Sequence, residues 1–135
     1  MVNPLNFRHP RRDDVLVSAA GPLSNIAAAL AFGILYRLMP PAGHQFEWSF
    51  LHMLRLGVQI NLGLAFFNLI PLSPLDGSHV LQGLLPRDSA RKFEDFSRFA
   101  PAILLAIIFL GDDLLNAVLG PPIRFFFGLF TGWGY

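Results

Sequence analysis

Asp76 is the residue in this chain best placed to do chemistry. It stands in Pro71-Leu72-Ser73-Pro74-Leu75-Asp76-Gly77, directly after an uncharged run of 20 residues, Leu56 to Leu75. Two roles fit a carboxylate in that position. An ionisable group at the edge of a membrane span marks function by default. Pro-Leu-Asp-Gly is also good turn chemistry, and Asp76 is equally suited to cap a helix beginning near Ser78. His79 follows three residues later, so on a helix the two side chains face one way. One carboxylate and one imidazole fall short of the three protein ligands that a catalytic zinc takes, and His79 is read as a surface or supporting residue. His9, His44 and His52 read as solvent or interface residues. No two histidines are spaced four apart around a Glu, as a helical zinc site requires.

Three amides lie in otherwise apolar stretches. Asn61 and Asn68 are seven residues apart and share one helix face. They suit either a polar pocket running toward Asp76 or hydrogen bonding between helices. Asn25 suits an interhelical hydrogen bond, because an amide in hydrocarbon needs a partner. Ala20, Ser24 and Ala28 recur at every fourth position and predict a surface that lets another helix approach closely.

The elements that carry these residues are those of a membrane protein. Of the 135 residues 53% are hydrophobic and only 14% charged, against roughly 25% charged in soluble domains. Mean hydropathy is +0.50. The net charge of +1 gives no basic field for nucleic acid. The absence of cysteine excludes disulfides, thiolate metal sites and a Cys nucleophile. There is neither a glycine-rich phosphate loop nor a serine-centred elbow.

Hydropathy predicts an all-α, polytopic bundle of three to four spans in one membrane domain, residues 1–135. Residues 1–14 form a cytoplasmic lead-in and 15–36 the first span, whose 22 uncharged residues reach about 33 Å as a helix. Residues 56–75 form a second span that Pro71 and Pro74 break into extended chain. A short helix and loop occupy 78–98, a third span 99–119, and an interfacial segment or fourth span 123–135, rich in Phe and ending in Trp133 and Tyr135. Residues 1–14 carry Arg8, Arg11 and Arg12, and the 86–98 stretch carries Arg87, Arg91, Lys92 and Arg98. The opposite side holds Arg37, Arg55 and Arg124. The positive-inside rule therefore makes the N-terminus and the Asp76 side cytoplasmic in a multi-pass protein of the cell membrane.

Asn3-Pro4-Leu5-Asn6-Phe7-Arg8, then Ala20-Gly21-Pro22-Leu23-Ser24-Asn25, then Phe67-Asn68-Leu69-Ile70-Pro71 through Leu75-Asp76-Gly77-Ser78-His79 make a recognisable series. Together they resemble the site-2 protease family of intramembrane zinc metalloproteases, in its compact prokaryotic form without a PDZ insertion. The match is clear over about residues 2–85. The resemblance implies that Asp76 is the third ligand of a Zn2+ ion. In the family it joins two histidines of a His-Glu-x-x-His helix, whose Glu is the general base. It also implies a place for Asn68 near substrate or the oxyanion, and a substrate cleft lined by the segment of Pro71 and Pro74, before Gly77. The partners it implies are the lipid bilayer and a transmembrane protein or peptide substrate.

One departure matters. The 135 residues contain no His-Glu-x-x-His, which in the family precedes the Asn-Pro segment. The chain is thus expected to be the C-terminal part of such a protease and inactive alone. The alternative is a non-catalytic membrane scaffold that binds a partner transmembrane helix through its small-residue face. A third reading, a small ion-binding subunit using Asp76, Asp112 and Asp113, has only those carboxylates to recommend it.

Overall fold

A computed structural model describes residues 10–39 and 45–132. The lead-in through His9, the loop with His44, and Trp133 and Tyr135 lie outside the described residues. Among the described residues six helices follow in order: α1 (Pro10–Leu38), α2 (Gln45–Asn68), α3 (Asp76–Leu84), α4 (Arg87–Ser97), α5 (Ala100–Leu110) and α6 (Asp112–Thr131). The chain is all-α, as its hydropathy predicts, with no strand among the described residues. Three helical stretches are long and apolar enough to cross a membrane: Asp13–Leu38, Glu47–Asn68 and Asp113–Thr131.

Local sequence explains where the first helix starts and stops. Pro10 opens α1, where its missing N–H costs nothing. Asp13 lies in the first turn and Arg37 in the last, each matched to the helix dipole. The α1 and α2 helices then pack as an antiparallel hairpin. Gly57 admits the ring of Phe32 so closely that a Cβ there would stand 2.9 Å from its Cγ. The C-terminal half of α6 closes the bundle. Phe127 and Phe130 join Ala29, Val58 and Leu62 in a buried cluster, with Phe66 and Phe126 stacked at its edge, 5.5 Å between ring centroids. Many large apolar side chains, Leu16, Leu23, Leu105 and Phe109 among them, point outward. Such an exterior suits lipid, where apolar surface carries no penalty and helices associate by packing.

The structure departs from the sequence expectations in three places. The apolar stretch 99–119 is not one helix. The first part, α5, ends at Leu110 before Gly111, and α6 begins at Asp112 and runs on through Pro121 and Pro122. Those prolines leave two carbonyls of the preceding turn without helical donors but do not end the helix, a fault that spanning helices tolerate. Residues 71–75 are not extended either. They form tight turns in which Leu72 N–H donates to Ile70 O and Leu75 N–H to Leu72 O, each at 2.8 Å. A segment beside hydrocarbon must satisfy its own backbone, and turns do this where an extended strand without a neighbour cannot.

The third departure concerns helix phase. The close-packing face of α1 is not the Ala20, Ser24, Ala28 row. Ala20 and Ser24 are exposed, and Ala28 is half-buried. The packed face is Ser18, Pro22, Ala29 and Gly33, all buried. Small residues occur on more than one face of α1, and the large side chains that project from α2 and α6 select which is used. Gly33 receives Phe130, whose Cβ and carbonyl oxygen would lie 2.8 and 2.9 Å from an added methyl.

Candidate functional site

The site is built where α3 lies against the N-terminal half of α1. Leaving α2 at Asn68, the chain turns through Pro71 and Pro74 and re-enters a helix at Asp76. The N-cap of α3 is Leu75, which provides no side-chain cap bond, so Asp76 is the first helical residue. Ser78 donates its hydroxyl to Leu75 O at 2.7 Å and its backbone N–H to the same carbonyl at 3.1 Å. These bonds fix the first turn of α3 and leave the Asp76 carboxylate available to reach across to α1.

The carboxylate is seated on Gly21. A methyl group placed on that glycine would lie 2.8 Å from Asp76 Oδ2 and 3.7 Å from its Cγ. Gly21 thus leaves the space that the acid occupies. It lies seven residues beyond Asp14, about 10 Å along the helix axis, inside the uncharged run of α1. Three residues on from Asp76, His79 reaches a different level of α1, where its Nδ1 stands 3.5 Å from Asp14 Oδ2. Both side chains of that pair are half exposed. Asp76 and His79 therefore both face α1, the acid deeper and the imidazole at the rim.

Gly77 and Ser78 are buried. Gly77 packs onto the carbonyls of Leu69 and Ile70 at the end of α2, which anchors α3 to α2 as Asp76 anchors it to α1. Asn68, half-buried, is the last residue of α2, one position before this contact. Asn61 lies two turns before it, half-buried on the same helix. Its amide nitrogen donates to Gly57 O, one turn back in its own helix, at 2.8 Å. Asn25 is half-buried, one turn beyond Gly21. In α1, Ser24 likewise turns its hydroxyl to Gly21 O at 2.7 Å.

Among the described residues no three His, Asp or Glu side chains come together to hold a metal ion. The residues present therefore offer Asp76 as a donor but not a complete donor set. Two structural partners went unnoticed in the sequence. Gly21 stood in the Gly-Pro-Leu-Ser-Asn part of the motif series without a role of its own, and Asp14 was visible only as a helix-start acid. Both follow from the position of α3, which no local pattern gives.

The Asp14–His79 pair holds the rim of this contact weakly, because exposed ion pairs are worth little. Asp14→Ala and His79→Ala are each expected to change stability by less than about 1 kcal/mol, measured by denaturant unfolding of the purified chain in detergent. A larger loss would mean that the pair, and not the packing at Gly21 and Gly77, holds α3 in place.

The family model of peptidase family M50 matches residues 34–111, more than half of the chain. A Bacillus subtilis protein named "Putative zinc metalloprotease YwhC" is 32% identical over 139 aligned residues, covering 96% of this chain and 64% of the relative. A Methanocaldococcus jannaschii protein named "Putative zinc metalloprotease MJ0611" is 41% identical over 66 residues, covering 49% of this chain and 32% of the relative. The chain thus spans less than two thirds of the length of either relative. No solved structure matches it.

Proposed function

This chain belongs to peptidase family M50, the site-2 protease family, and we propose that it forms the Asp76-bearing part of an intramembrane zinc protease. In this reading Asp76 supplies one carboxylate ligand to a zinc ion, and the remaining ligands and the general base come from a His-Glu-x-x-His helix outside these 135 residues. When bound, zinc supplies Lewis-acid polarisation of the scissile carbonyl and activation of water. The chain's own residues do the positioning. Gly21 gives the carboxylate room within the membrane-spanning part of α1, and the turn at Pro71 to Leu75 with Gly77 sets the start of α3. Asn68, at the end of α2, is the candidate for hydrogen bonding to substrate or to a developing oxyanion. Substrate is a transmembrane protein or peptide, cleaved from the cytoplasmic side, where the basic residues of α4 and the N-terminal arginines would lie. The self-satisfied turns at 71–75 speak against a substrate strand pairing along an extended edge there.

The observation that carries the reading is the Asp76 carboxylate held against Gly21, at the first residue of the helix that follows the proline-containing turn. The test is zinc content by metal analysis of the detergent-purified chain, alone and co-produced with a membrane helix bearing His-Glu-x-x-His. Little zinc is expected in the chain alone, and near-stoichiometric zinc in the pair, falling sharply with Asp76→Ala. Near-stoichiometric zinc in the chain alone would overturn the divided site. Zinc uptake by the pair that ignores Asp76→Ala would overturn the role of Asp76.

A further inference from the structure

At the other end of the α1–α2 hairpin, far from Asp76, the structure gathers cations that the protease reading does not use. Arg55 on α2 lies over two rings, 5.9 Å from the centroid of Tyr36 and 5.5 Å from that of Phe127. Tyr36 is the last residue of the uncharged run of α1, so Arg55 stands level with the end of that run. Arg37 donates from Nη2 to Leu129 O at 2.6 Å, which brings the C-terminal part of α6 to the same level. Between α2 and α6 is a cleft of about 440 Å3 lined by His52, Arg55, Gln59 and Arg124 together with Leu56, Ile123 and Phe127. A second cleft of about 280 Å3 adjoins it, sharing Gln59, Ile123 and Arg124 and continuing along Leu115, Asn116, Leu119 and Gly120 of α6. Among the described residues no carboxylate lines either cleft.

The combined shape is a cationic mouth and a mostly apolar groove leading from it along a membrane helix. Arginines at this end run against the charge bias that orients the chain. Their collection around one cleft gives them a common purpose. Guanidinium groups are suited to phosphate oxygens, which they bind in fork geometry, and basic pockets between spanning helices take up anionic lipid headgroups. The ring contacts restrain Arg55, so less entropy is lost on binding. We propose that this cleft binds an anionic phospholipid, with its phosphate between Arg55 and Arg124 beside His52, and one acyl chain along Leu56, Ile123 and Leu119. The proposal does not depend on the protease reading, because no residue is shared between the two sites.

The test is lipid retention by native mass spectrometry of the full chain, released from bilayers of equal phosphatidylglycerol and phosphatidylcholine. Phosphatidylglycerol should be retained preferentially, and Arg124→Gln should weaken that preference about five-fold, the worth of one arginine at a lipid surface. Ile123→Trp, which fills the groove and leaves every charge in place, should lower retention as well. Equal retention of the two lipids by the unaltered chain would overturn the proposal, whatever the variants do. Displacement of the lipid by millimolar glycerol 3-phosphate would show a site for free phosphate and overturn the lipid assignment.

Discussion

Gly21→Val is expected to lower peptide cleavage about 100-fold in the complete protease, the usual scale for a displacement of about 1 Å at a reacting group. A single added Cβ already stands 2.8 Å from Asp76 Oδ2, and the two further methyls of valine add bulk beside the carboxylate. α3 is held on its far side by the end of α2, so the acid must turn away from its seat. Zinc occupancy should fall with activity while far-UV helical content stays constant, because valine is tolerated in a helix interior at least as well as glycine. A double-mutant cycle separates this effect from general crowding. In the Asp76→Ala background the oxygen that clashes is gone, and Gly21→Ala should cost much less stability than it does beside the intact acid. Full cleavage by Gly21→Val, or equal stability costs in the two backgrounds, would sink the idea that Gly21 seats Asp76.

Gly77→Ala should be the most damaging small substitution for stability, costing about 3 kcal/mol, the upper part of the range for overpacking a fitted contact. Its Cβ would run into the carbonyl of Leu69 and stand 2.6 Å from Ile70 O. Both obstacles are backbone, and both are tethered, since Leu69 N–H donates to Ala65 O and Ile70 N–H to Phe67 O, each at 3.1 Å. A side chain would swing aside, but this turn cannot move without breaking those bonds next to hydrocarbon. Gly63 and Gly120 provide the control. Nothing lies within 4 Å of a Cβ at either position, so alanine there should be neutral or mildly stabilising by helix propensity. Denaturant unfolding of the four chains in detergent checks the set. A Gly77→Ala chain as stable as the Gly63→Ala chain would show that α3 does not depend on this contact.

Much of the molecule could be read from residue types alone. Uncharged runs long enough to span, bounded by Asp14, Arg37 and Arg55, make an all-α membrane bundle, since a lipid environment leaves a spanning chain few ways to satisfy its backbone. Pro71 and Pro74 had to interrupt the chain before Asp76, and the motif series around Asp76 was sufficient for a resemblance to the family to which the chain belongs. Composition excluded thiolate chemistry and a nucleic-acid surface. These conclusions rest on local constraints: hydropathy, missing N–H groups and charge at span ends act within a few residues of one another.

What tertiary structure alone decided is which neighbour each of these residues meets. Asp76 was as well suited to cap α3 as to face another helix, and the structure makes Leu75 the cap and seats Asp76, the first helical residue, on Gly21. The Ala20, Ser24, Ala28 row and the Ser18, Pro22, Ala29, Gly33 face are both small enough for close packing, and only the projection of Val58 and Leu62 from α2 and of Phe130 from α6 separates them. Asn61 suited a polar pocket or a bond between helices, and its amide nitrogen bonds back into its own helix. Pro121 and Pro122 looked like a boundary and lie inside α6. The physical reason is common to all four. Within a membrane every helix surface is apolar enough to face either lipid or protein, so the hydrophobic pattern loses its power to choose, and packing shape decides in its place.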